Sequence, residues 1–162
     1  MVCAAIVVGI VGCAGKRIDQ GVFHSPKGYR LTLPSGADWT IVQGSRADLE
    51  LRFQAAPVAM LVNASCDDAM RKTPLDSLAR RLLTGLRERS VLLSEGVPLD
   101  GKTARHSIIE GRLGEQEAPM KVEVYVARDA RCVYDFIYAA PPETFGEFVS
   151  SFRRLVDSFA EE

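Results

Sequence analysis

The sequence predicts an α+β fold in which an antiparallel β-sheet is covered by helices. Two patterns support this prediction. Several segments alternate apolar and polar residues, as half-buried strands do, and two segments carry apolar residues at spacings of three and four, as amphipathic helices do. The helical segments lie near the middle and at the end of the chain, with strand segments between them. The chain has 162 residues, of which 47% are hydrophobic and 25% charged, values typical of one globular domain.

The strand predictions follow the alternation along the chain. The segment PVAMLV is apolar on both faces and is therefore predicted to lie centrally in the sheet. The last two strands are separated by Asp129 and Ala130 and are predicted to form a hairpin. The predicted strands are 29–33, 39–42, 48–53, 57–62, 90–98, 103–112, 120–128 and 132–139.

Two helices are predicted. The first is capped by Thr73 and has Pro74 at its first position, followed by leucines at helical spacing. The second begins at Pro141 and carries an aromatic stripe, which indicates burial against the sheet rather than a cofactor site. The stripes are Leu75, Leu78, Leu82 and Leu86 in the first helix and Phe145, Phe148, Val149, Phe152, Leu155, Val156 and Phe159 in the second.

The N-terminal segment predicts export. Residues 2–13 are apolar and uncharged, and at about 12 residues they are too short to span a bilayer as a helix. This composition is typical of the apolar part of an export signal, although no Lys or Arg precedes it. The motif IVGC, which ends at Cys13, resembles the lipobox of bacterial lipoproteins. The resemblance implies a signal peptide at 1–12 and a lipid on Cys13, whereas the alternative is an N-terminal strand or helix packed in the domain.

A lipid on Cys13 would hold the chain on a membrane, facing the periplasm. Residues 13–21 are then a short polar tether, and 22–162 are the folded domain. The residue after the cysteine is Ala14 rather than Asp, which by resemblance to lipoprotein sorting in some bacteria favours the outer membrane over the inner one.

Export also bears on the other cysteines. Cys3 would leave with the signal peptide, so Cys66 and Cys132 would be the only thiols left in an oxidising compartment. One interpretation is a Cys66–Cys132 disulfide. The other is a pair of unpaired thiols in neighbouring strands, and the sequence leaves both open.

Four segments carry a resemblance that covers nearly the whole domain. GYRLTLPSGADW, EGVPLDGKTAR, YDFIYAAPPETF and the final FRRLVDSF resemble the PsbP/DcrB-like superfamily. The resemblance implies an antiparallel sheet between helices, an α/β/α sandwich. Members of the superfamily mostly bind other macromolecules, and the shared motifs are structural, so the resemblance implies no catalytic residues.

Residues that could carry chemistry are few. The chain has two histidines, His24 and His106, and it has no HExxH, CxxC or GxSxG motif. His106 lies in a strand pattern without a recognisable partner, which favours a structural role over that of a base. Asp67 and Asp68 are interpreted as a solvated loop rather than cation ligands, and Gly111 and Gly114 as a turn rather than a phosphate loop. No metal site and no cofactor are predicted.

A basic surface around the first helix is the most suggestive feature. One interpretation is a solvated helix face. The other is a docking face for anionic lipid headgroups or an acidic partner. A net charge of -1 gives the whole molecule no field that would attract nucleic acid. The basic residues are Arg71, Lys72, Arg80, Arg81, Arg87 and Arg89.

These observations predict a lipid-anchored accessory protein of the bacterial envelope that binds an envelope protein and is not an enzyme. Two alternatives remain. The first is an envelope hydrolase that uses His106 with a nearby acid. The second is a carrier that holds a small ligand in the core of the domain.

Overall fold

The computed structural model describes residues 15–114 and 117–162, which form 11 strands and three helices. Most of the regular secondary structure is antiparallel sheet. The strands are β1 (Arg17–Asp19), β2 (Val22–Ser25), β3 (Tyr29–Thr32), β4 (Trp39–Ile41), β5 (Leu49–Phe53), β6 (Ala59–Ser65), β7 (Arg87–Leu99), β8 (Lys102–Arg112), β9 (Pro119–Arg128), β10 (Val133–Ala140) and β11 (Ala160–Glu161). The helices are α1 (Asp68–Lys72), α2 (Leu75–Leu82) and α3 (Phe145–Asp157).

The strands form a large and a small sheet. The large sheet has seven strands in the order β4-β5-β6-β10-β9-β8-β7, and all its neighbouring strands are antiparallel. The small sheet has the order β1-β2-β3-β11. Strand β6 lies inside the large sheet, so the predicted interior position of this strand is confirmed. Strand β7 forms one edge of the large sheet.

One face of the large sheet packs against α3 and the small sheet. Tyr134 and Tyr138 on β10 point to this face, because alternate residues of a strand lie on the same side. The Tyr138 ring stacks on Phe152 of α3 with centroids 5.4 Å apart, and the Tyr134 ring lies 4.8 Å from Phe159. Tyr29 of the small sheet packs edge-on against Tyr134 at 5.7 Å. The aromatic stripe of the last predicted helix is therefore core, as the sequence indicates.

The opposite face of the large sheet packs against α2. Leu78 and Leu86 are buried there against Val124 and Val126 of β9. Gly111, which the sequence analysis interprets as part of a turn, instead lies in β8 under the end of this layer. A Cβ at position 111 would lie 2.7 Å from the Leu86 Cγ, so glycine permits the close approach.

The start of α2 differs from the prediction. Thr73 does not cap α2; it follows α1, and its hydroxyl donates to the Ala69 carbonyl oxygen. Asp67, interpreted from sequence as a solvated loop residue, caps α1 by accepting from the Ala69 and Met70 N–H groups at 2.8 and 3.1 Å. A five-residue helix is too short to show a helical period, so the pattern alone did not reveal it.

The small sheet was also not predicted, and it changes the description of the fold. Its strand β1, Arg17–Asp19, lies within the predicted tether at 13–21. Its four strands are two to four residues long, and only β3 shows an alternation that the sequence analysis could use, in the predicted strand 29–33. Because the small sheet shares one face of the large sheet with α3, helices cover the large sheet only in part. A complete α/β/α sandwich is not observed.

Cys66 and Cys132 form a disulfide that links the end of β6 to the start of β10, with Cα atoms 4.0 Å apart. Their neighbours Ser65 and Val133 are paired across the two strands, which brings the cysteines together. Cys13 and the predicted signal peptide at 1–12 lie outside the described residues. Among the helices that are described, none has the length and apolar character needed to cross a membrane.

Candidate functional site

The main candidate site is a cleft between α2 and the strands β7 and β8, with a volume of about 290 Å³. Its floor is apolar, and most of its rim is basic. We call it the arginine cleft. It is lined by Asp76, Ala79, Arg80, Leu83, Arg89, Val91, Ser94, Arg105, Ser107 and Ile109.

The apolar side of the amphipathic helix α2 forms part of the floor of the arginine cleft. Ala79 and Leu83 are buried on the side of α2 that packs on the sheet, beside Ile109 of β8. Val91 lies opposite Ile109 on the edge strand β7 and is 65% exposed, because no strand covers that edge. Exposed apolar surface inside a concave site is typical of binding sites.

The rim of the arginine cleft carries three guanidinium groups and one carboxylate. Arg105 pairs with Asp76, with Nε 2.7 Å from Oδ1. Arg80 donates to the Ser77 hydroxyl at 3.2 Å, and Arg89 donates to the Leu83 carbonyl oxygen at 3.5 Å. Within the part of the chain that is described, neither Arg80 nor Arg89 forms an ion pair. The cleft therefore presents two uncompensated positive charges above an apolar floor.

The structure divides the six basic residues of the predicted docking face. Arg80 and Arg89 line the arginine cleft, whereas the other four lie outside it. Arg71 pairs with Asp68 and donates to the Ala130 carbonyl oxygen, near the β9–β10 turn. Arg81 lies against the Met70 sulfur, Lys72 ends α1, and Arg87 begins β7.

Arg105 also lines the arginine cleft, although it is not among the basic residues of the predicted docking face. It occurs as an isolated basic residue in a strand pattern, and only the packing of α2 on β8 brings it beside Asp76. A charged residue near the middle of a strand was the one available signal. That signal does not reveal which helix the side chain will meet.

A second polar site lies on the other face of the large sheet, around His106. The His106 ring stacks on Tyr125 with centroids 4.2 Å apart. Its Nδ1 lies 3.1 Å from a Glu95 carboxylate oxygen, and its Nε2 lies 2.8 Å from Glu123 Oε1. Glu123 is 0% exposed and also accepts two hydrogen bonds from Arg153 of α3, at 2.9 and 3.2 Å. We call these five residues the His106 network.

In the His106 network, the charged form of each ionisable group stabilises the charged form of its partner. Burial acts to lower the pKa of His106, but hydrogen bonds and charges from Glu123 and Glu95 outweigh it, so the pKa is raised. Burial acts to raise the pKa of Glu123, but hydrogen bonds from His106 and Arg153 outweigh it, so the pKa is lowered. Both ring nitrogens and both Glu123 oxygens are engaged. The network is thus a compensated set of charges that joins α3 to the sheet.

His106 has no recognisable partner in the sequence, and the structure supplies two. Glu95 lies directly opposite His106 in the β7–β8 pair, and Glu123 lies on the next strand. Glu123 alternates with Val122 and Val124, so the pattern assigns it to the solvent-facing side of the strand, and only the packing of α3 on that side buries it. His24, the other histidine, lies 2.7 Å from a Glu162 carboxylate oxygen.

Comparison with solved structures identifies the fold. The solution structure of cyanobacterial PsbP (CyanoP) from Synechocystis sp. PCC 6803 matches with a TM-score of 0.63 and 16% identity, covering 96% of this chain and 98% of that one. The chain has a PsbP-like fold. LpqN of Mycobacterium tuberculosis, described as involved in cell envelope biogenesis, matches with a TM-score of 0.62 and 12% identity, covering 82% of this chain and 84% of LpqN. No protein-family model and no curated protein matches the sequence.

The match confirms the PsbP-like fold and its antiparallel sheet but not the complete α/β/α sandwich that the sequence resemblance implies. At these identities the match carries no residue roles. The arginine cleft and the His106 network therefore have to be interpreted from their own geometry. Within residues 15–114 and 117–162, no group of three or more His, Cys, Asp or Glu side chains is placed to hold a metal ion.

Proposed function

We propose that this chain is a lipid-anchored accessory protein of the bacterial cell envelope that binds an acidic partner protein through the arginine cleft. The observation that carries the proposal is the pair of uncompensated guanidinium groups, Arg80 and Arg89, above an apolar floor. An acidic side chain of a partner would pair with these groups while a neighbouring apolar side chain would contact Leu83 and Val91. Arginine is one of the residues that contribute most to binding at protein interfaces.

The envelope location is supported by three observations. Residues 2–13 have the composition of an export signal, and the motif ending at Cys13 resembles a lipobox. A disulfide such as Cys66–Cys132 persists in an oxidising compartment. LpqN, which has a similar fold, is described as involved in cell envelope biogenesis. With Ala14 after the cysteine, we propose the outer membrane rather than the inner one, with the domain facing the periplasm.

The position of the cleft favours a protein over lipid headgroups. Residues 14–16 are all that separate Cys13 from β1, and they can span about 10 Å. Lys16 donates to the Ala47 carbonyl oxygen, next to β5. Strands β5 and β8 are four positions apart in the large sheet, which corresponds to about 19 Å. The anchored end and the arginine cleft therefore lie at different edges of the sheet.

The test is site-specific photocrosslinking in the native envelope. A photoreactive amino acid replaces the exposed Val91, and crosslinked products are compared in the wild-type background and in two charge-reversal variants. Arg80→Glu/Arg89→Glu changes the cleft. Arg81→Glu/Lys72→Glu makes the same change in charge on exposed residues outside the cleft.

We expect one protein crosslink in the wild type and in the Arg81→Glu/Lys72→Glu control, and its loss in Arg80→Glu/Arg89→Glu. Binding of each variant to vesicles with anionic lipids is measured in parallel. Retention of the crosslink in both variants contradicts docking through the cleft. Crosslinks to lipid alone, with vesicle binding lost only in the cleft variant, contradict a protein partner.

The alternative of a hydrolase has less support from the geometry of the His106 network. A general base needs a ring nitrogen free to take a proton, whereas both nitrogens of His106 face carboxylates. We therefore propose a structural role for His106 and no catalytic role for the chain.

A further inference from the structure

Asp135 is a buried acid on the α2 side of the large sheet whose carboxylate makes no hydrogen bond or ion pair with any described residue. Asp135 lies on β10 between Val133 and Ile137, and it is 6% exposed. Within the described part of the chain, no hydrogen-bond donor and no cation contacts its carboxylate. Burial alone raises the pKa of Asp135 to about 6, so the group is mostly ionised at neutral pH.

The other buried acids of the described residues are compensated, which makes Asp135 exceptional. Asp48 lies 2.8 Å from the Lys27 ammonium, and it accepts from the Tyr29 hydroxyl at 2.9 Å and the Ala64 N–H at 2.8 Å. Glu123 is held by the His106 network. An ionised carboxylate buried without a partner destabilises the fold, and groups of this kind are concentrated at functional sites.

Asp135 faces a pocket of about 240 Å³. Leu61, Leu82 and Ile137 form its apolar walls, and Arg46 lies at its rim. Asn63 is paired directly with Asp135 across β6 and β10, so the two side chains lie side by side on one face. The pocket thus combines one carboxylate, one amide and aliphatic walls, and we call it the Asp135 pocket.

We propose that the Asp135 pocket binds a primary ammonium group carried on a short aliphatic stem. The Asp135 carboxylate and the Asn63 amide oxygen accept hydrogen bonds from the ammonium group, and Leu61 and Ile137 contact the stem. Arg46 at the rim repels a second positive charge, so the far end of the ligand is neutral or anionic. This chemistry occurs in free alkylamines and in the side chain of a lysine presented by another protein.

The test is an NMR titration with n-butylamine, followed through the backbone amide signals of β6 and β10, in a buffer free of primary amines. Asp135→Asn is the test variant, and Asp157→Asn, which removes an exposed carboxylate from α3, is the matched control. We expect saturable binding to the wild type and to the control. We expect affinity about tenfold lower in Asp135→Asn, because a charge-assisted hydrogen bond is lost.

Three further comparisons test the need for the ammonium group, the effect of Arg46 and the source of the ligand. Butan-1-ol, which has the stem without the charge, is expected not to bind. Butane-1,4-diamine is expected to bind more weakly than n-butylamine to the wild type, and an Arg46→Ala variant is expected to remove that difference. A capped peptide with one internal lysine binding better than n-butylamine would identify a protein as the source, and the reverse order would identify a free amine.

Equal binding of n-butylamine to the wild type and to Asp135→Asn would overturn the proposal, and so would equal binding of butan-1-ol and n-butylamine. Thermal melting of Asp135→Asn checks that the variant is folded. The surface variant Arg46→Ala provides an independent test, since its effect on the two amines does not depend on changing a buried residue.

Discussion

Replacement of Asp135 by asparagine should stabilise the protein in a way that depends on pH. The pKa of Asp135 rises from 3.8 to about 6 in the folded state, because burial disfavours the charged form. A carboxyl group whose folded pKa lies above its unfolded pKa destabilises the folded state once it ionises. The destabilisation is absent below about pH 4, grows as the pH rises from about 4 to about 6, and is complete above that.

The magnitude follows from the same values. Each pKa unit corresponds to 1.36 kcal/mol, so the change from 3.8 to about 6 corresponds to about 3 kcal/mol of unfolding free energy. The asparagine side chain has nearly the same shape as that of Asp135 and no charge, so the substitution removes the pH-dependent part and keeps the packing. For a domain of this size, the effect is about 6–12 °C in melting temperature at neutral pH.

Urea denaturation between pH 4 and pH 8 measures this effect. The fluorescence of Trp39, the one tryptophan of the chain, reports unfolding, since its ring packs against Phe53 at 5.3 Å. The quantity of interest is the unfolding free energy of Asp135→Asn minus that of the wild type. The contributions of the other titrating groups are the same in both proteins and cancel in this difference. We expect this difference to grow by about 2.5 kcal/mol from pH 4 to pH 8, because the unfolded-state carboxyl is already partly ionised at pH 4.

A difference that stays constant from pH 4 to pH 8 would refute the reasoning, because it would mean that the carboxylate is compensated in the folded state. Buffers that contain primary amines have to be avoided, since binding of an ammonium group at Asp135 would stabilise the wild type and reduce the difference.

Three further perturbations test other parts of the structure. Glu123→Gln removes the carboxylate that pairs with Arg153 and should lower the unfolding free energy at pH 7 by about 3 kcal/mol. Because the pKa of Glu123 is lowered in the folded state, this loss should shrink as the pH falls through that pKa. Equal losses in urea denaturation at pH 7 and pH 3 would contradict the prediction. Reduction of the disulfide, or its replacement by serines, should lower the unfolding free energy by about 4 kcal/mol, since the bond closes a long loop; calorimetry with and without reductant measures the loss. Gly111→Ala should destabilise by about 1–3 kcal/mol because its Cβ would lie 2.7 Å from a backbone oxygen, whereas Gly96→Ala, where a Cβ meets nothing within 4 Å, should not show this effect.

The sequence identified most of the elements because their patterns are local. The alternation in 120–128 and 132–139 predicted the hairpin of β9 and β10, which is confirmed. The apolar spacing after Pro141 predicted α3, and its aromatic residues are buried as expected. The missed elements, β1, β2, β11 and α1, are two to five residues long, too short for a repeated pattern to identify them.

The sequence by itself determined where the long strands and the amphipathic helices lie along the chain. It also determined the basic character of the region around α2. Only the tertiary structure decided which charges are neutralised. Arg105 meets Asp76 because α2 crosses β8, and Glu123 meets Arg153 because α3 crosses β9. Asp135 meets no cation among the described residues, since its pocket is walled mainly by Leu61, Leu82 and Ile137. The residues that neutralise a charge come from distant parts of the chain. A local sequence pattern does not determine which distant residues are brought together when the helices and sheets pack.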